Sequence, residues 1–127
     1  MSQALEDLCP VVRPAVEKLL ALAQETLAFD MCVVDTLRTP AEQDANIRAG
    51  VSWTRNSRHL AQPVCGLAHA ADLAPKHLMR LKNWAPKHSD WLRLGELGES
   101  LEFLWGGRWL HRDCPHFEMR TAHERKV

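Results

Sequence analysis

The sequence predicts an α+β fold, one small domain in which a mostly antiparallel sheet packs with helices. Three observations point to it. Helix-like and strand-like periodicities are interspersed along the chain, the strand-like runs are short, and hairpin-like turns join those nearest the end. At 127 residues the chain can build one real core and not two, so a single domain is expected over residues 1–127.

The first element runs from about Pro14 to Leu27, where Val16, Leu19, Leu20, Ala23 and Leu27 recur at helical spacing and form one apolar stripe. Phe29 to Asp35 follows, with Met31, Cys32, Val33 and Val34 consecutive, a pattern that suits a strand buried on both faces. Thr39-Pro40-Ala41-Glu42 is a strong helix start: Thr39 can cap, Pro40 is favoured in the first turn, and Glu42 completes a capping box. That helix should run to about Ala49 and stop at Gly50. Val51 to Val64 reads as a loop, Ala68 to Leu73 as a short strand, and Leu78 to Leu81 as a helical turn. Ser89 is placed to cap a helix carrying Trp91, Leu94, Leu97 and Leu101, although Gly95 and Gly98 each weaken it by about 1 kcal/mol relative to alanine. Leu101 to Trp105 reads as a strand, Gly106-Gly107 as a tight turn, and His116 to Met119 as a last strand.

Composition narrows the function. Hydrophobic residues make up 46% and charged residues 25%, so disorder is not the dominant state. Sixteen basic and sixteen acidic residues cancel, which argues against nucleic acid as the main partner, because such binders neutralise phosphates. No cationic region followed by an apolar run is visible over Met1 to Pro10, where Glu6 and Asp7 stand, and no apolar stretch is long enough to span a bilayer. The expectation is a monomer made in the cytoplasm without a signal peptide or membrane insertion. Cys9, Cys32, Cys65 and Cys114 form no CxxC pair and are expected as thiols, with a Cys65–Cys114 pair on zinc as the sharper alternative.

Two segments carry chemistry. Ser57-Arg58-His59 leads, after a proline-containing stretch, to Ala68-His69-Ala70-Ala71-Asp72; later comes Asp113-Cys114-Pro115-His116-Phe117-Glu118. Together they supply two histidines and a carboxylate able to bind zinc, with a second carboxylate beside them. A catalytic zinc takes three protein ligands and keeps one position for water, whose pKa it lowers to about 7. A nearby carboxylate can take that water's proton, and an arginine can stabilise the developing oxyanion. Strand alternation sorts the candidates: Asp72 shares a face with the small Ala68 and Ala70, while His69 points the other way. His116 and Glu118 share a face, with Phe117 and Met119 turned to the core. Asp113, on a turn ending at Pro115, can lean over the same site without being a ligand. His69 reads as structural, and His77, His88, His111 and His123 as surface residues.

These motifs resemble the M15 zinc peptidases, the group of D-alanyl-D-alanine carboxypeptidases and L-alanyl-D-glutamate endopeptidases that includes small phage endolysins. The family's Ser-x-His, Gly-x-Ala-x-Asp and Asp-x-x-His-aromatic pattern appears in order in the segments above, preceded by Leu37-Arg38-Thr39-Pro40-Ala41-Glu42-Gln43 and joined by Trp105-Gly106-Gly107-Arg108-Trp109. The resemblance implies that His59, Asp72 and His116 bind Zn2+ at the sheet, and that Asp113 is the general base. It further implies that Arg38 contacts substrate and helps polarise the scissile carbonyl, and that Ser57, beside the first ligand, binds substrate or orients that ligand. Three departures stand out: Ala61 to Leu67 looks like an insertion, the usual glycine falls at Ala68 or Gly66, and Arg108 stands where aspartate is common.

The implied function is endolysin-like hydrolysis of peptides in bacterial peptidoglycan, acting on the wall after release from the cell. The alternatives are a cytoplasmic D-alanyl-D-alanine dipeptidase or carboxypeptidase, and a non-catalytic zinc-stabilised binding module, which would need neither Asp113 nor Arg38.

Overall fold

The computed structural model describes residues 2–50, 52, 57–63 and 65–119. The architecture is α+β. In chain order, α1 spans Arg13–Thr26, β1 Met31–Asp35, α2 Pro40–Arg48, β2 Ala70–Pro75, α3 Lys76–Arg80, α4 Ser89–Ser100, β3 Leu104–Trp105 and β4 His116–Glu118. The strands form one sheet in the order β1-β2-β4-β3, and every neighbouring pair is antiparallel. Short 3-10 turns cover Leu5–Asp7 and Gly106–Arg108.

The two faces of the sheet do different work. On one face Trp105 pairs with Phe117, which pairs with Ala71, and this row belongs to the hydrophobic core with Leu73. Helix α1 contributes Val16, Leu19 and Ala23 from the expected stripe, and α4 contributes Trp91 and Leu94. Each of these larger side chains contributes about 1.5–3 kcal/mol when taken fully from water. The opposite face carries Ala70, Asp72 and Ala74 along β2, with His116 and Glu118 beside them on β4.

Helix starts follow the sequence signals, with one exception. Thr39 accepts from the Glu42 amide at 3.1 Å while the Glu42 carboxylate accepts from the Thr39 amide at 3.0 Å, completing the capping box. Ser89, however, is the first residue of α4 and not its cap; the His88 side chain accepts from the Asp90 amide instead. His77 also bonds Asp90, at 2.9 Å. The glycines inside α4 have a packing reason. A Cβ at Gly95 would meet the Trp105 ring at 2.3 Å, and one at Gly98 would meet the Phe117 ring at 2.5 Å. The helix can lie on the sheet only because those positions are bare.

Gly98→Ala therefore gains helix propensity but forces the Phe117 ring out of place. Net destabilisation of about 1–3 kcal/mol is expected, as for other overpacked cores, and denaturant unfolding measures it. An equal or raised unfolding midpoint would show that α4 can shift without loss.

Other expectations need correction. β1 is an edge strand whose apolar residues are only partly buried, so it is not enclosed on both faces. The strand expected at Ala68 begins at Ala70; Ala68 instead makes an isolated parallel bridge with Leu8. Leu101 to Glu102 belongs to the turn closing α4, with Glu102 at a φ of 72°, which delays β3 to Leu104. Val51, Val64 and His123 lie outside the described residues.

Candidate metal centre

Asp72 sits at the middle of a row that crosses three strands. Register places it opposite His116 on β4 and, on its other side, opposite Asp35 on β1. The second pairing depends on an irregularity in β1 between Val33 and Asp35, which slips the register by one residue. Directly opposed residues share a face, so Asp35, Asp72 and His116 converge.

His59 arrives from a loop. Its turn is held by the Ser57 hydroxyl, which accepts from the His59 amide at 3.1 Å, and by the His59 carbonyl, which accepts from the Arg38 amide at 2.7 Å. The ring's Nδ1 lies 2.7 Å from the Thr36 carbonyl, a group that can only accept, so Nδ1 carries a hydrogen. Nε2 is thereby aimed at Asp72, with Oδ1 at 3.0 Å. His116 is tied the other way round: Nε2 lies 2.9 Å from Glu118, and Nδ1 faces Asp72 at 3.4 Å. One donor atom from each of His59, Asp72 and His116 lies within 4.8 Å of the other two.

This donor set fits zinc. Two imidazole nitrogens and a carboxylate oxygen are the ligand types of a three-ligand zinc site. Each ring's outer nitrogen is already held, by Thr36 and Glu118, which fixes orientation as it does around metal-bound histidines. Burial alone would push the Asp72 carboxyl up, but the His59 charge and hydrogen bonds from His116 and His59 outweigh it and hold the group well below the usual range. Burial likewise works against a charged His116 ring, yet hydrogen bonds to Asp72 and Glu118 raise its pKa to about 10. The pocket is arranged to hold positive charge between carboxylates.

Asp113 stands beside the cluster, 4.0 Å from His116 Nδ1, with a side chain that remains 45% exposed. Its surroundings are crowded enough that desolvation, and then the Asp72 charge, raise its pKa. The backbone explains its position. The Asp113 amide donates to the Gly106 carbonyl at 2.9 Å, and a Cβ at Gly106 would lie 2.4 Å from the Asp113 carbonyl oxygen. The Trp-Gly-Gly segment thus allows a close approach that sets the acidic turn. Trp105 donates from its indole to the Cys114 carbonyl at 2.7 Å, and the Trp109 ring lies 4.8 Å from the His116 ring. Arg108 bonds Glu99 on α4 and lies over the Trp105 ring.

Arg38 is 9% exposed and binds Asp35 through Nε and Nη2 and Gln43 through Nη1; its Nη2 is also 3.8 Å from Asp72 Oδ2. Asp35 Oδ1 is buried with no hydrogen-bond partner among the described residues, and burial raises that carboxyl's pKa.

The structure therefore gathers His59, Asp72, His116, Asp113, Arg38 and Ser57 around one spot. It adds residues to which the motif reading gave no role. Glu118 was visible as the residue sharing a face with His116. Asp35, a charge ending an apolar run, carried a weaker signal, and the Thr36 carbonyl carried none. Cys65 does not meet Cys114: its thiol converges with Cys9 and His69, and Cys114 is buried under Trp105.

Fold and centre together define a small α+β domain with a candidate metal centre at its sheet. The sequence profile of the peptidase M15 family, described as D-alanyl-D-alanine carboxypeptidase, matches residues 50–119, and the chain belongs to that family. Among solved structures it is similar in fold to the Serratia marcescens L-Ala D-Glu endopeptidase ChiX, with a TM-score of 0.63 and 24% identity over 97% of this chain and 87% of that one. No curated protein matches the sequence.

Proposed function

We propose that the protein is a zinc-dependent peptidase that hydrolyses a peptide bond in the stem peptides of bacterial peptidoglycan, in the manner of a phage endolysin. The observation that carries this reading is the convergence of His59, Asp72 and His116 with Asp113 beside them and not among them. His59, Asp72 and His116 would hold the ion. When bound, zinc supplies a water acidic enough to ionise near neutral pH and polarises the scissile carbonyl. Asp113 takes the proton from the attacking water and returns it to the leaving amine; its raised pKa suits a group that must both accept and release. Arg38 balances Asp35 and steadies Asp72, and from that position its positive charge would help stabilise the oxyanion that develops on the substrate. Ser57 acts through His59, whose amide it holds.

A second reading, removal of a terminal D-alanine, is favoured by the description of the matching family. Digestion of purified peptidoglycan distinguishes them. An L-alanyl-D-glutamate endopeptidase exposes new D-glutamate amino termini; a carboxypeptidase releases D-alanine. Chelation should stop either reaction and zinc should restore it. Protein that stays metal-free after zinc addition yet cleaves walls would refute the proposal.

The pH dependence follows from His116. In protein stripped of metal its folded pKa, about 10, lies above the ordinary 6.5. The proton therefore stabilises the metal-stripped fold fully below pH 6.5, and that contribution is lost as pH rises towards 10. Zinc must displace this proton, so apparent zinc affinity should rise about tenfold per pH unit through neutrality, and activity should fall on acidification. Competition with a chromogenic chelator at several pH values measures this; a flat profile would contradict it.

A further inference from the structure

We propose that Cys9, Cys65 and His69 form a second metal site, a thiolate-rich one for zinc, that clamps the 61–67 loop to the N-terminal segment. One donor atom from each lies within 4.8 Å of the other two, and Cys65 Sγ is already 3.3 Å from His69 Nε2. Tetrahedral zinc with bonds of about 2.0–2.3 Å places its ligand atoms about 3.5–3.8 Å apart, so closing this triangle needs only small side-chain movement. Two sulfurs and an imidazole select a soft or borderline d10 cation over magnesium or calcium.

The backbone holds the three donors in place. The Cys9 amide donates to the Ala68 carbonyl at 2.9 Å and the Ala68 amide to the Asp7 carbonyl at 3.0 Å, which sets Cys9 alongside His69. The His69 amide donates to the Arg58 carbonyl at 2.8 Å, and its carbonyl accepts from Met119 at 3.0 Å. Cys65 sits in a turn closed by the Gly66 amide on the Gln62 carbonyl at 2.8 Å, with Gly66 at a φ of +68°. Cys9 and His69 are buried and Cys65 is partly buried, so the thiolates are shielded while the loop side remains reachable.

The site is separate from the first centre but bonded to it through the chain. Gln62, in the same loop as Cys65, donates to the Ser57 carbonyl at 3.2 Å and the Leu60 carbonyl at 2.8 Å, bracketing the turn that carries His59. Within the stretch that reads as an insertion, Gln62 thus holds the His59 turn and Cys65 would fasten it to the second site. Three protein donors leave the fourth position of the tetrahedron to a water reached from the loop side, and the ion's role here is to fasten the loop, apart from hydrolysis.

Zinc and cobalt(II) alone are the probes. Reduced wild-type protein should bind two equivalents, and its cobalt form should show thiolate-to-metal charge-transfer absorption in the near ultraviolet. Cys65→Ser should bind one equivalent, lose that absorption and keep most peptidase activity. His59→Ala, which damages only the first centre, should keep one equivalent and the absorption. Cys9 is buried and its substitution can fail to fold, so Cys65→Ser and the wild-type spectrum carry the test. A single equivalent in wild type without charge transfer would overturn the proposal, as would a Cys9–Cys65 disulfide in protein prepared under reductant.

Discussion

His116→Ala should abolish wall hydrolysis by removing the zinc itself. Of the three proposed ligands, His116 belongs to the sheet's central row and also stands 4.0 Å from Asp113, so its loss opens the cluster on the side of the proposed base. Two ligands of a three-ligand open site would remain, and a site of that kind does not retain zinc against dilution. The substitution also removes the hydrogen bond of 2.9 Å that the His116 ring makes with Glu118, itself 6% exposed. Glu118 keeps Arg58 at 3.9 Å, so the cost is the lost hydrogen bond together with the vacated ring volume, about 1–3 kcal/mol. Elemental analysis should find at most one zinc, that of the thiolate site, and thermal unfolding should occur at lower temperature. Glu118→Gln is the graded companion: it keeps the shape but removes the charge behind the ring, so zinc affinity should fall by about 10–100-fold while the fold survives. Full zinc occupancy of the first centre in His116→Ala would remove His116 from the ligand set.

How much of this was legible in the sequence depended on how local each signal was. The capping box at Thr39 and Glu42 involves four consecutive residues, and it formed as read. The stripe on α1 and the alternation of His116, Phe117 and Glu118 are likewise short-range patterns, and the burial of Val16, Leu19 and Phe117 follows them. The row Asp35–Asp72–His116 was not legible, because it depends on strand order and on one slipped residue in β1. No periodicity announces a bulge. Gly95 and Gly98 misled in the opposite direction: as local residues they argue against a helix, and only the rings of Trp105 and Phe117 explain them. The Cys9–Cys65–His69 cluster joins positions far apart in sequence through a parallel bridge at Leu8 and Ala68, which spacing alone cannot reveal.

Asp113→Asn should separate catalysis from metal binding. The side chain lies beside the cluster, and its place is set by backbone contacts with Gly106 that the substitution leaves alone. The amide keeps the size and much of the hydrogen bonding of the carboxylate. Folding and zinc content should therefore match wild type. What is lost is a carboxylate with a raised pKa, the property that the proposed general base needs to take the water's proton and pass it to the leaving nitrogen. Losing such a group typically lowers turnover by 10²–10⁴-fold, so a fall on the order of a hundredfold or more is expected in kcat, with KM little changed. The acid side of the pH–rate profile should lose the step that Asp113 contributes, leaving only the loss of zinc at low pH. The pair of variants thus fails differently: His116→Ala without its zinc, Asp113→Asn with it. An Asp113→Asn protein that digests purified peptidoglycan at the wild-type rate would remove Asp113 from the mechanism even with zinc in place.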